Sequence, residues 1–313
     1  MKKSAVYFLL LTAAAPHRLA AQSHEVTQSS EKLHEKAANG SIQNVRVDKR
    51  APSPIPSSMV LGKDVKFEGY EVRTYRAGED GDPLQAFEIL KSGRRIYSNV
   101  DNDGLKYNIG CVNDDDVGNL KIRPGKDITG TGKPNLVISD WTGGAHCCFS
   151  YFVFELGDDV KEIGRINAAD GDGCQFQEER DGKVDFVIDD WTFAYWGASF
   201  LASPAPEIIM RYESGGYKIA TDLMVKATPS REEFQKLVKK GRRVPRDDEG
   251  GPTSGFWEIM LNLIYSGHAD LAWKFCDQSW PGDLKAKHQF LHAFRLQLSK
   301  SPYWSAIKAM NGL

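Results

Sequence analysis

The sequence predicts an α+β fold in which a domain of repeated β-hairpins precedes a helical subdomain. Three observations predict it. Strand–turn–strand patterns recur around KSGR at 91–94, LGDD at 156–159 and ESGG at 213–216. The run NLVISDWT at 135–142 returns fifty residues later as DFVIDDWT at 185–192. After about Thr228 the apolar period changes from that of strands to that of helices.

Taken in order, the chain opens with a secretory signal. Lys2-Lys3 precede a nearly continuous apolar run from Ala5 to Ala15, and Ala20-Ala21 stand before Gln22. The apolar run is too short to span a bilayer, and no later segment is long and apolar enough. Cleavage near Ala21 (residues 1–21 removed) would take away Lys2, Lys3 and Arg18 and shift the formal charge from −2 to −5. The expected location is extracytoplasmic, periplasmic or secreted. Residues 22–60 are rich in Ser, Gln, Lys and Glu and then in Pro (APSPIPSS), the composition of a disordered tether.

Residues 61–227 form the expected β-repeat domain. KFEGYEVRTY at 66–75 alternates apolar and polar residues as one strand would, and acidic glycine turns separate the hairpins, among them NDDDVGN at 113–119 and DITGTG at 127–132. Leu136–Ile138 and Phe186–Ile188 read as buried strand runs. Three units are too few for a closed propeller, so an open or two-layer arrangement is expected. Residues 228–313 form the helical subdomain. Ser230 with Glu233 is a capping-box start for a helix to about Lys240, and three further helices are expected over about 256–266, 269–279 and 283–299.

Composition is that of a globular protein, 41% apolar and 26% charged, with a formal charge of −2. No broad basic excess marks a nucleic-acid partner. Of the five cysteines, Cys111, Cys147, Cys148 and Cys174 cluster in the β region. An oxidising compartment favours disulfides among them, and the four allow three pairings. A bond between the neighbours Cys147 and Cys148 distorts the backbone, so bonds outward to Cys111 and Cys174 are expected. Cys276 falls in an apolar helical pattern and is expected as a buried free thiol.

The segment DITGTGKPNLVI resembles FG-GAP/VCBS-type repeats of integrin-like β-propellers, in which an acidic loop precedes a buried strand. The longer run GKDITGTGKPNLVISDWTGGAHCCFSYFVFEL is similar to a group of uncharacterised secreted bacterial proteins with a W-[ST]-G-G-A-H-C-C block. DGKVDFVIDDWTFAYW, SPAPEIIM and SPYW (301–304) extend the likeness over most of 85–304. The resemblance implies a fold and a compartment, and no activity.

Several groups of residues could carry chemistry. A repeat loop of the FG-GAP type would offer calcium the oxygens of Asp127, Thr129, Thr131 and Asn135. Only Asp127 is a carboxylate, and the competing reading is an Asx turn that satisfies its own backbone. His146 beside Cys147 and Cys148 suggests a thiol nucleophile or a zinc site, but neighbouring cysteines in an exported chain are explained more simply by disulfides. Asp140, Asp189 and Asp190 stand at strand ends beside Trp141 and Trp191, the residue types of a sugar site; the competing reading is that each Asp caps the following turn and each Trp packs between sheets. The dense aromatic run Trp191, Phe193, Tyr195, Trp196 and Phe200 alternates at Trp191/Phe193/Tyr195 as one face of a strand would, and that face is either core or a recognition patch. The basic run at 239–243 reads as a solvated loop. With no intact catalytic motif, the expected function is a binding or structural module for an unknown ligand or cell-envelope component. A secreted hydrolase acting on carbohydrate through Asp140, Asp189 and Asp190 is the alternative.

Overall fold

The computed structural model describes residues 52–78, 84–102, 106–110, 122–142, 148–171, 174–247, 250–280 and 282–313. The signal segment, the tether up to residue 51, Cys111, the acidic turn at 113–119, His146 and Cys147 lie outside these residues. Three four-stranded antiparallel sheets are followed by a helical region. Sheet 1 holds β1 (Val60–Phe67), β2 (Tyr70–Arg76), β3 (Gln85–Lys91) and β4 (Arg94–Asp101). Sheet 2 holds β5 (Lys106–Ile109), β6 (Asn135–Trp141), β7 (Phe149–Glu155) and β8 (Lys161–Ala169). Sheet 3 holds β9 (Gln175–Glu178), β10 (Val184–Asp189), β11 (Glu207–Glu213) and β12 (Gly216–Ile219). In each sheet the strands lie side by side in chain order, as a simple meander.

Local chemistry sets the turns. Ser92-Gly93 and Ser214-Gly215 take positive φ at both positions (50° and 76°; 50° and 88°), as primed two-residue hairpin loops require. Glu68-Gly69 does the same (45° and 80°), so KFEGYEVRTY is not one strand: β1 and β2 fold back on each other there. The three expected hairpins are the third and fourth strands of the three sheets, and the repeated NLVISDW/DFVID run is the second strand of sheets 2 and 3.

The faces of the strands separate two cores. Tyr70, Val72, Phe87 and Ile89 of sheet 1 meet Tyr107, Ile109, Leu136, Ile138, Phe152 and Phe154 of sheet 2. The opposite face of sheet 2, with Val137, Tyr151 and Val153, joins the core that contains Val184, Phe186, Ile188, Ile208 and Met210 of sheet 3. Tyr151 and Phe186 stack across that junction at 6.1 Å. Sheet 2 is thus covered on both faces, which is why Leu136–Ile138 reads as a continuous apolar run. β10 differs from that expectation, since Val187 is only half-buried and Asp185 beside it is held by Arg211 at 3.0 Å.

The same core continues into the helices α1 (Thr221–Met224), α2 (Arg231–Gly241), α3 (Ser254–Ile264), α4 (Ala269–Ser279), α5 (Leu284–Leu298) and α6 (Trp304–Met310). The Ser230 hydroxyl accepts from Glu233 N at 3.3 Å while Ser230 N donates to the Glu233 carboxylate at 2.7 Å, the full capping box. Gly241 lets α2 lie on α4, because a Cβ there would come within 2.4 Å of the Phe275 ring. Cys276 is a buried free thiol, its pKa pushed up to about 12 by burial. Cys148 and Cys174 are disulfide-bonded. Among the described residues no helix is long and apolar enough to cross a membrane.

Candidate functional site

The repeat places an aspartate at the end of β6 and another just beyond β10, and their surroundings differ. Asp190 is 2% exposed. It caps a short 3-10 turn, Trp191–Phe193, by accepting from Thr192 N at 2.9 Å. Its carboxylate also accepts from the hydroxyls of Thr192, Tyr265 and Ser301, the Tyr265 contact at 2.5 Å. Burial and then the Asp190 charge raise the Tyr265 phenol well above its ordinary value. Gln297 of α5 donates to the Thr192 carbonyl. This carboxylate therefore ties the end of sheet 3 to the helical region.

Asp140 is also buried, but it accepts from Gln85 Nε2 of β3 at 2.7 Å, across the junction of sheets 1 and 2. Burial pushes its pKa up to about 6, against the Gln85 hydrogen bond and with the nearby Asp101 charge adding to the rise. The Gln85 Oε1 atom is buried without a hydrogen-bond partner. Both aspartates were expected to cap the following turn; Asp190 does, and for Asp140 the residues of that turn after Thr142 lie outside the described ones. Asp140 spends a carboxylate oxygen on a side chain 55 residues away in sequence. Asp189 is half-buried at the end of β10, and Trp141 is half-buried and stacked on Phe149 at 6.3 Å. Among the described residues Asp140 and Asp190 have no hydrogen-bond partner in common.

The aromatic run 191–200 is not a strand, as its alternation suggested. β10 ends at Asp189 and the chain turns through the 3-10 segment, so the rings divide between two sides. Phe193 is buried against Phe294 at 5.2 Å, and Trp196 packs edge-on against Trp257 at 5.1 Å. On the other side Trp191 stacks on Phe200 at 4.9 Å and 10°, with the Tyr195 ring 5.7 Å from Phe200. Tyr195 is 55% exposed and Leu201 96%. Tyr195 holds φ at 57°, a strained position for a bulky residue outside a hairpin turn. Its N–H donates to Ser203 Oγ at 2.9 Å, which in turn donates to the Ser199 carbonyl. Reading by residue type found Trp191, Tyr195 and Trp196 but left out Leu201, whose signal was an apolar residue in a loop bounded by Ser199 and Ser203.

The DITGTG loop satisfies its own backbone. Asp127 accepts from Thr129 N (3.1 Å), Gly130 N (2.8 Å) and Gly132 N (2.8 Å). Burial lifts the Asp127 carboxyl, but these donors outweigh it and hold the group below its ordinary value. Asn135 Oδ1 accepts from Ile128 N at 2.8 Å, and Thr131 donates to Glu155, whose other oxygen binds Lys133 at 2.7 Å. Asp127 thus forms an Asx turn, while the oxygens of Asn135, Thr129 and Thr131 bond Ile128 N, Asp127 and Glu155. Among the described residues no three His, Cys, Asp or Glu side chains gather as metal ligands. No family model, curated protein or solved structure matches this chain.

Proposed function

We propose that the protein is an extracytoplasmic binding module that takes a saccharide component of the cell envelope on the outer side of the 191–202 loop. The observation that carries this reading is the division of that loop. Phe193, Trp196 and Asp190 anchor it to the core, while the stacked pair Trp191/Phe200 flanks exposed Tyr195 and Leu201. Such a platform presents flat apolar area at little cost in side-chain entropy, and a tyrosine tip can still hydrogen-bond. A strained backbone at Tyr195 is consistent with a residue kept in place for recognition. The disulfide-bonded state of Cys148 and Cys174 supports an oxidising compartment, as the N-terminal signal pattern does. Bonds from Cys147 and Cys148 to Cys111 and Cys174 belong to the same proposal, as does the likeness of the three meanders to propeller blades.

The geometry favours binding over hydrolysis. A glycosidase needs two carboxyl groups flanking one bond. Asp190 is enclosed by hydroxyl donors from its own chain and Asp140 is committed to Gln85, so half-buried Asp189 supplies one carboxyl of the three where two are needed. The test is co-sedimentation of the mature protein with isolated cell-wall polysaccharide. Tyr195→Ala and Leu201→Ala should each weaken retention about tenfold with an unchanged melting temperature. Retention that ignores both substitutions, or no retention by the parent, would contradict the proposal.

A further inference from the structure

We propose that a cleft beside α2 binds a phosphate ester. The open cleft has a volume of about 550 Å³ and is lined by Lys236, Lys239, Lys240, Arg243, Val244 and Pro245. The four cations follow the spacing i, i+3, i+4, i+7, which places them on one side of the helix and its continuation. Phe234, Val238 and Gly241 bury the opposite side. The segment 231–246 carries seven basic and two acidic side chains in a chain whose formal charge is −2.

Two structural accounts cover only part of this pattern. Cations in the last turn complement the helix dipole, which explains Lys239 and Lys240 and leaves Lys236 and Arg243. Surface pairing explains Lys236, which meets Glu232 at 2.8 Å. Among the described residues Lys239, Lys240 and Arg243 have no carboxylate within ion-pair distance; Asp248 and Glu249 of the adjoining loop lie outside those residues. Arg242, by contrast, turns away and donates to the Gln278 carbonyl at 2.9 Å.

Several converging cations call for a ligand with more than one negative charge. Arg243 offers the planar fork that suits phosphate oxygens, and the lysines act as point charges around it. Val244 and Pro245 give the same cleft an apolar wall, which suits an ester's organic part better than a bare inorganic ion. The site shares no residue with the 191–202 loop and does not depend on the saccharide reading.

The mature protein should be titrated calorimetrically with glycerol phosphate, and sedimented with phosphatidylcholine vesicles containing phosphatidylglycerol. The first arm reads a soluble ester and the second the same chemistry on a lipid surface. Saturable binding in either arm is expected. It should weaken about tenfold or more in Lys239→Ala/Arg243→Ala, survive in Lys239→Arg, and be untouched by Lys218→Ala on β12. These side chains are exposed, so melting temperatures should stay at the parent value. Saturable binding in neither arm at low ionic strength would overturn the site. So would an equal loss in Lys218→Ala, which would mean diffuse attraction to positive charge.

Discussion

Asp140 and Asp190 occupy the same place in two copies of one sequence pattern, and the protein uses them differently. Both follow a buried isoleucine by two residues, both precede Trp-Thr, and both are almost fully buried. Asp190 gathers three hydroxyls and a backbone N–H, drawn from the sheet end, α3's end and the turn before α6. Among the described residues Asp140 receives one amide, from the neighbouring sheet, and that amide's oxygen is left orphaned; the turn at 143–147 lies outside those residues. The difference shows that burial alone does not assign a role. A buried carboxylate with its lone pairs filled holds structure together; one that is under-supplied is held at the expense of stability and has its pKa raised.

The comparison can be broken at the carboxylates themselves or at the strands that carry them. The largest effect is expected for Asp190→Ala. It removes the shared acceptor of Tyr265 and Ser301 inside the core and should cost about 3 kcal/mol or more in denaturant unfolding. A loss near zero would mean that the hydroxyls find other acceptors and that Asp190 is no keystone. Next come Ile138→Ala and Ile188→Ala, each expected to cost about 2–5 kcal/mol. Ile138 should be the more costly, since it is 0% exposed on a strand covered on both faces, against 5% for Ile188. Negligible losses at both would mean that the two strands are not core, and a larger loss at Ile188 would reverse the expected order.

Elements governed by neighbours in sequence were legible. The Ser230/Glu233 box started α2 where expected, and the Ser92-Gly93 and Ser214-Gly215 turns closed their hairpins. The Glu68-Gly69 turn was hidden because apolar and polar residues alternate on both sides of it; the shift of phase between Phe67 and Tyr70 was its one mark. The loop after β10 was misread for a related reason: the Trp191/Phe193/Tyr195 alternation suggests a strand, yet Asp190 accepts from Thr192 N and turns the chain into a 3-10 segment. Long-range partners left no local trace. Gln85 lies 55 residues from Asp140, and Ser301 lies 111 from Asp190. The cationic stripe at 236, 239, 240 and 243 was readable in principle, but only once the helix was known to continue its spacing past Gly241.

The most direct measurement is the pH dependence of stability for Asp140→Asn beside the parent. A carboxyl whose folded pKa is about 6 holds its proton in the folded state over a range where the unfolded chain has already lost it. Folding therefore takes up a proton between about pH 4 and 6, and the parent should lose stability as pH rises through that window, by up to about 3 kcal/mol from this group. Asp140→Asn should flatten that slope and match or exceed the parent's melting temperature at pH 7, because its amide can donate to Gln85 Oε1 without burying a charge. A variant that keeps the parent's slope, or that melts well below the parent at pH 7, would contradict the account and place Asp140 with Asp190 as a stabilising carboxylate.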